Sequence, residues 1–248
     1  ARLLGKPCGR YLTLSLEALS RREEEAFPRS VRVLAALIET LLPPLDSAAP
    51  VLIAGLGSRS ITPDAVGPRS ADHVIATRHL ISRSPEFSAS WRPVSVLAPG
   101  VLGQTGVETG EIVRGVLDHV RPRALIAIDA LAAGRLSRLV RTVQLADTGI
   151  VPGSGVNNAR TALDRQTLGV PVVSIGVPTV ADGGSLAHEI AQQLDGAQCE
   201  ALDDLSQPFI ITTRDIDREV ADTARLIGYA VNMALQHISV EEIDLYLS

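Results

Sequence analysis

Five short aliphatic runs, each ending at or near a glycine or an aspartate, leave this chain few architectures. They are Val51–Gly55, Val94–Leu97, Ala124–Asp129, Thr142–Asp147 and Pro171–Gly176. Each is close to continuously apolar, the pattern of strands covered on both faces. Helical periodicity fills the gaps between them. Val66, Val74, Ile75 and Ile81 mark one helix across 65–81, and Ile112, Val113 and Val116 mark another across 108–120. A third pattern runs over 185–194. An amphipathic segment, 30–42, precedes the first of these strands, and a long helix from Asp215 to about His237 follows an edge strand, Phe209–Thr212. Strands alternating with helices predict a mostly parallel, twisted sheet between two helical layers, a three-layer α/β/α fold. No repeat, low-complexity tract or linker interrupts the pattern. One α/β domain over residues 1–248, with N- and C-terminal additions, is expected.

Composition then removes whole classes of function. Hydrophobic residues make up 46% and charged residues 21% of the 248, ordinary values for a globular chain. Two cysteines, Cys8 and Cys199, rule out a disulfide framework and a four-cysteine zinc site. A formal charge of −5 speaks against nucleic acid as a direct partner. No apolar run approaches the ~18 residues of a membrane span and no signal peptide opens the chain, so a soluble intracellular protein is expected. Lys6 is the sole lysine, which leaves little room for lysine-based chemistry.

In open α/β sheets ligands gather at the carboxyl ends of the strands. Three aspartates stand at predicted strand ends: Asp64 after the turn Gly55-Leu56-Gly57, Asp129 closing an apolar run, and Asp147 before Thr148-Gly149. Asp64 also suits a helix N-cap or a turn. Asp129, flanked by Ala127-Ile128 and Ala130-Leu131, is a partly desolvated charge that needs a reason. Asp147 is as well explained by bracing the glycine-rich loop Gly149–Asn158 as by catalysis.

Competing motifs are weaker. A dinucleotide fingerprint needs a third glycine where Ser60 stands and a helix where Thr62-Pro63 intervenes. Asp147-Thr148-Gly149 matches the tripeptide of barrel-type aspartic proteases, but that fold is all-β. His73 and His79 lack the i, i+4 spacing of a zinc pair, and His119, His188 and His237 fall in helical stretches. Ser154 lacks the strand–turn–helix setting of a nucleophile elbow. Cys8 and Cys199 lie away from the strand ends and read as packing residues.

Several long stretches, in order, resemble the germination protease family of spore-forming bacteria. They are Gly9–Thr13, Gly55–Arg69, Thr77–His79, Arg92–Gly100, Thr105–Thr109, Ile126–Leu131, Ala146–Ile150, Pro152–Val156 and Ile175–Val180. The resemblance implies an endopeptidase that starts the degradation of small acid-soluble spore proteins during germination. It also implies a zymogen activated by loss of an N-terminal segment, a homotetramer, a cytoplasmic location in the forespore or spore core, and a core similar to that of hydrogenase-maturation endopeptidases. The family's catalytic aspartates fall on Asp64 and Asp129. Gly57, Thr62, Pro63, Asp147, Gly149 and Asn158 fall beside them as supporting residues. Asn157 departs from the Gly-Val-Gly-Asn expected in the family's loop. No metal and no cofactor is implied.

Two nearby carboxylates can hydrolyse a peptide without a nucleophilic side chain. They cannot both ionise cheaply, so one keeps a proton and the pair supplies both base and acid. Two other readings stay open: a nickel-dependent maturation endopeptidase, and a non-catalytic carboxylate-lined domain that holds a metal or peptide.

Overall fold

A computed structural model describes residues 6–84, 90–154, 160–184, 186 and 209–248. The predicted helix 185–194, together with Asn157, Asn158, His188 and Cys199, lies outside the described residues except at position 186. The strands are β1 (Tyr11–Ser15), β2 (Val51–Gly55), β3 (Val94–Leu97), β4 (Ala124–Ala132), β5 (Thr142–Ala146), β6 (Val172–Asp182) and β7 (Ile210–Ile211). The helices are α1 (Glu17–Ser20), α2 (Ala26–Leu41), α3 (Val66–Asp72), α4 (Arg78–Arg83), α5 (Leu102–Thr105), α6 (Thr109–Val120), α7 (Arg165–Leu168), α8 (Ile216–Gln236) and α9 (Val240–Leu247).

The strands form a sheet of order β1-β5-β6-β4-β2-β3, with β7 joined to the far end of β6. Its centre, β3-β2-β4-β6, is parallel, as near-continuous apolarity requires. β1, β5 and β7 join antiparallel. The alternation of side chains across a strand splits the core into two halves. Val51, Ile53, Ile126, Ile128, Val173 and Ile175 pack under α2, α3 and α8. Leu52, Ala54, Leu125, Ala127 and Val172 face Val113 and Leu117 of α6, together with Leu163. The architecture is α/β with helices on both faces.

Three features differ from the sequence expectation. The first is β1, which pairs with β5 from Tyr11↔Ala146 to Ser15↔Thr142. Its alternating exposure shows an edge strand with one wet face, a weak signal in sequence. The second is the helix predicted over 65–81, which breaks into α3 and α4. Asn232 of α8, 1% exposed, accepts from the Ile75 N–H at 2.9 Å and donates to the His73 carbonyl at 2.8 Å. That side chain replaces the helical bonds at the break, so His73 and His79 stand on separate segments.

The third is the direction of β5. Only nine residues, 133–141, separate β4 from β5. A parallel return needs a crossover of a dozen or more residues. β5 therefore runs back down the sheet, and its carboxyl end lies at the opposite edge from those of β2, β4 and β6.

Candidate active site

The site edge is built where α3 closes on the ends of β2 and β4. Gly55 of β2 and Gly67 of α3 approach so closely that a Cβ on Gly55 would lie 2.2 Å from the Gly67 carbonyl oxygen. A Cβ on Gly67 would lie 2.2 Å from the carbonyl oxygen of Leu56 and 2.5 Å from that of Ile128. Only two glycines permit this contact. It draws the turn preceding α3, and with it Asp64, over the end of β4.

Asp129 is not the last residue of its strand, as the sequence suggested, since β4 continues to Ala132. It is instead the first residue of β4 beyond β2, because Gly55, the end of β2, pairs with Ile128. On its other side it pairs with Gly176 of β6, which carries no side chain. Asp129 is 6% exposed. Its Oδ1 accepts from the Ala130 N–H at 2.9 Å. Burial, and after it the charge of Asp64, push the Asp129 carboxyl up to about 7, against that single stabilising hydrogen bond.

Asp64 closes the short 3-10 turn Thr62–Asp64, with Pro63 in its first positions. Its Oδ2 accepts from the Ser58 N–H at 2.7 Å. Burial raises its carboxyl above the usual range, and the Ser58 bond works the other way. Gly57 holds φ at +107°, and a Cβ there would lie 2.1 Å from the Asp64 carbonyl oxygen and 2.9 Å from its Oδ1. Thr62 anchors the turn from below by donating to Asp217 of α8 at 2.8 Å.

The structure thus brings Asp64 and Asp129 within electrostatic reach, with Gly57, Thr62 and Pro63 shaping the turn that carries Asp64. It does not bring Asp147 to them. Gln144 of β5 lies across from Gly176, and Gly176 from Asp129. Asp147 is three residues beyond Gln144 in the opposite direction. That is about 10 Å along the strands and about 10 Å across two of them.

Among the described residues, Asp147 bonds to the start of the chain. The groups that pull its ionisation down are Arg10, beside β1, and the backbone N–H of Asp147 itself. Asp147 Oδ1 accepts from the Arg10 N–H at 2.8 Å and Oδ2 from its Nε at 2.7 Å. The same guanidinium donates to the Thr40 and Leu41 carbonyls at the end of α2. Partial burial pushes the Asp147 carboxyl up, but these bonds and the Arg10 charge outweigh it and leave it below the usual range. Asp147 ties β1 and α2 to the sheet.

Other groups hold the described part of the loop that begins at Gly149. Ile150 and Leu163 exchange two backbone hydrogen bonds, at 3.0 and 2.8 Å, and Gly149, at φ +80°, sits against the Leu163 carbonyl. Arg160 then pairs with Glu108, just before α6, at 2.9 Å. Sequence reasoning also missed Ser58, Gln104 and Asp217 around Asp64. Ser58 stood inside the recognised stretch Gly55–Arg69, whereas nothing local marks Gln104 or Asp217.

Among the described residues, no three of His, Cys, Asp and Glu converge in a geometry that would hold a metal ion. Asp64 and Asp129 alone are a poor donor set for nickel or zinc, whose sites combine any carboxylate oxygen with nitrogen or sulfur ligands. No helix among the described residues is long and apolar enough to cross a membrane.

Comparison with known proteins follows the same lines. A model of the family described as germination protease matches residues 1–195. The germination protease of Caldanaerobacter subterraneus subsp. tengcongensis is 39% identical over 260 aligned positions, covering 94% of this chain and 80% of its own length. That of Clostridium perfringens (strain ATCC 13124) is 34% identical, covering 100% and 85%. That of Bacillus subtilis is 45% identical, covering 76% and 52%. Among solved structures, a NiFe hydrogenase maturation protease from Thermococcus kodakarensis matches with a TM-score of 0.43 and 16% identity, covering 79% of this chain and 99% of its own.

Proposed function

The chain belongs to the germination protease family, and is therefore a peptidase of spore germination; from that premise we propose that it cleaves small acid-soluble spore proteins with Asp64 as base and Asp129 as acid. The observation that carries this reading is the unequal environment of the two carboxyls. Asp129 is buried beside the charge of Asp64 and holds its proton up to about pH 7. Asp64 has the Ser58 N–H to stabilise its ionised form. Both are raised by burial, but only Asp129 is pushed to about 7, and such a separation of two neighbouring carboxyls is how acid and base roles are divided.

The chemistry balances without a covalent intermediate. Asp64 takes a proton from water as the water oxygen bonds to the scissile carbonyl carbon. Asp129 gives its proton to the amide nitrogen as the C–N bond breaks. The pair then holds one proton on Asp64, and its return to Asp129 resets the site. A flexible, extended substrate suits a site set at a strand edge. The family resemblance further supports a zymogen, a homotetrameric assembly and action in the spore core, all part of the same proposal.

The experiment is incubation of the purified protein with a small acid-soluble spore protein, with and without a chelator. Cleavage that persists with chelator, and is lost in both Asp64→Asn and Asp129→Asn, supports the reading. Binding without cleavage reduces the protein to a carboxylate-lined binding domain. Loss on chelation, restored by one metal, replaces the mechanism with a metal-dependent one.

A further inference from the structure

We propose that Gln104 is a positioning residue, which acts through Ser58 to hold the Asp64 carboxylate in its working orientation. This rests on the reading of Asp64 as base. Among the described residues, the Asp64 carboxylate receives a single hydrogen bond from outside its own turn, the 2.7 Å bond from the Ser58 N–H. What fixes that N–H decides where the carboxylate points. Ser58 is 1% exposed, and its hydroxyl is a hub. It shares a hydrogen bond with the Ser60 hydroxyl at 2.8 Å and accepts from the Gln104 amide at 3.0 Å. The Ser60 N–H points to the same oxygen at 3.4 Å. The Gln104 amide also reaches the Ser60 hydroxyl, at 3.4 Å.

Gln104 belongs to α5, which follows β3, whereas Ser58 and Ser60 follow β2. The amide therefore bridges two strand-end loops. The bridge matters because Ser58 directly follows Gly57, whose φ of +107° turns the chain sharply there. From the other side, Arg59 pairs with Asp72 of α3, fixing the turn's outer edge. Gln104 is the inner brace. It does not touch Asp64, so its effect is on orientation and on the strength of the Ser58 bond.

Other charges face Asp64 and set the background for any titration. Asp129 approaches from β4. Asp217 of α8 is linked through Thr62. The Arg59–Asp72 pair lies on the turn and α3. None of them bonds to Gln104, so removing the amide changes only its contacts with the Ser58 and Ser60 hydroxyls.

The test uses full-length Gln104→Ala, Ser58→Ala and the double variant, with two readouts. The first is the Asp64 carboxyl titration, followed by NMR on protein carrying carbon-13 aspartate carboxyls, which needs no turnover. The second is the pH profile of cleavage of a small acid-soluble spore protein. Gln104 is exposed, and thermal unfolding of Gln104→Ala should match the parent. With the brace gone, the Asp64 pKa should rise by about half a unit and kcat should fall about fivefold, with KM unchanged. Ser58→Ala keeps the N–H but loses the hub, so it should reproduce both effects. The double variant should add little, as expected for residues acting in series.

If the Asp64 titration does not move in Gln104→Ala, the proposal is wrong, whatever happens to activity. A fall in kcat without that shift makes Gln104 a substrate contact instead. A shift in the titration with an unmoved acid limb of the rate profile keeps the brace and removes Asp64 as base.

Discussion

Asp129 owes its high ionisation range first to burial and then to Asp64, a neighbour of like charge, with one backbone N–H opposing both. A carboxylic acid poised near neutrality and set beside a second carboxylate at a strand edge can exchange a proton with bound water. Its position is dictated by register: β2 stops at Gly55 opposite Ile128, and β6 offers Gly176 across from Asp129.

The rate should be bell-shaped in pH. kcat/KM rises as Asp64 loses its proton, above the ordinary carboxylate range. It falls as Asp129 loses its own, near pH 7 in the free protein. A profile on a peptide without titrating groups checks this. A rate that climbs steadily to about pH 9 would exclude the shared-proton pair.

Asp129→Asn should abolish cleavage yet stabilise the fold at alkaline pH. Because the folded pKa of Asp129 is raised, the native state holds this proton more tightly than the unfolded chain. The carboxyl therefore costs stability progressively from about pH 4 to about pH 7. A shift of about three units corresponds to at most about 4 kcal/mol, fully expressed above pH 7. Denaturant unfolding at pH 5 and pH 8 should show the variant's advantage growing with pH. An equal difference at both values would contradict the burial argument.

Arg10→Ala and Asp147→Asn should each cost up to about 1 kcal/mol at neutral pH by loosening β1 and α2 on β5, a modest loss because the pair is partly exposed and screened by solvent. The sign with pH is opposite to that of Asp129. Asp147 is held below the usual range, so its contribution is present at neutral pH and is lost as acid protonates it. The titration of Asp129 should not change in either variant. A shift there would place Asp147 closer to the site than the antiparallel β5 allows.

Gly57→Ala should be severe in both stability and turnover. The added methyl meets the Asp64 carbonyl at 2.1 Å, and φ of +107° is itself costly for alanine. A loss of about 2 kcal/mol or more is expected, with kcat reduced beyond what unfolding explains. Full activity in a folded Gly57→Ala protein would show that the turn is not what aims Asp64.

Much of the fold is legible in the amino-acid sequence itself. The apolar runs at 51–55, 94–97 and 124–129 are strands with those starts, and α2, α6 and α8 lie within a few residues of their predicted spans. Burial on both faces and helical periodicity are written in composition and spacing, so they survive as sequence signals. The pairing of Asp64 with Asp129 is legible only through resemblance to a family. No local pattern says that residues 65 positions apart will meet.

Tertiary structure decided the rest. Asn232, 157 residues away from Ile75, broke the helix that periodicity predicts across 65–81. The direction of β5 decided the fate of Asp147. Apolarity reports that a strand is buried but not which way it runs, so three aspartates after strands look like one cluster. The nine-residue link from β4 carries the missing information, because so short a chain cannot return to the start of the sheet. Asp64 and Asp129 share an edge because both β2 and β4 run toward it. Asp147 is at the other edge because β5 runs back.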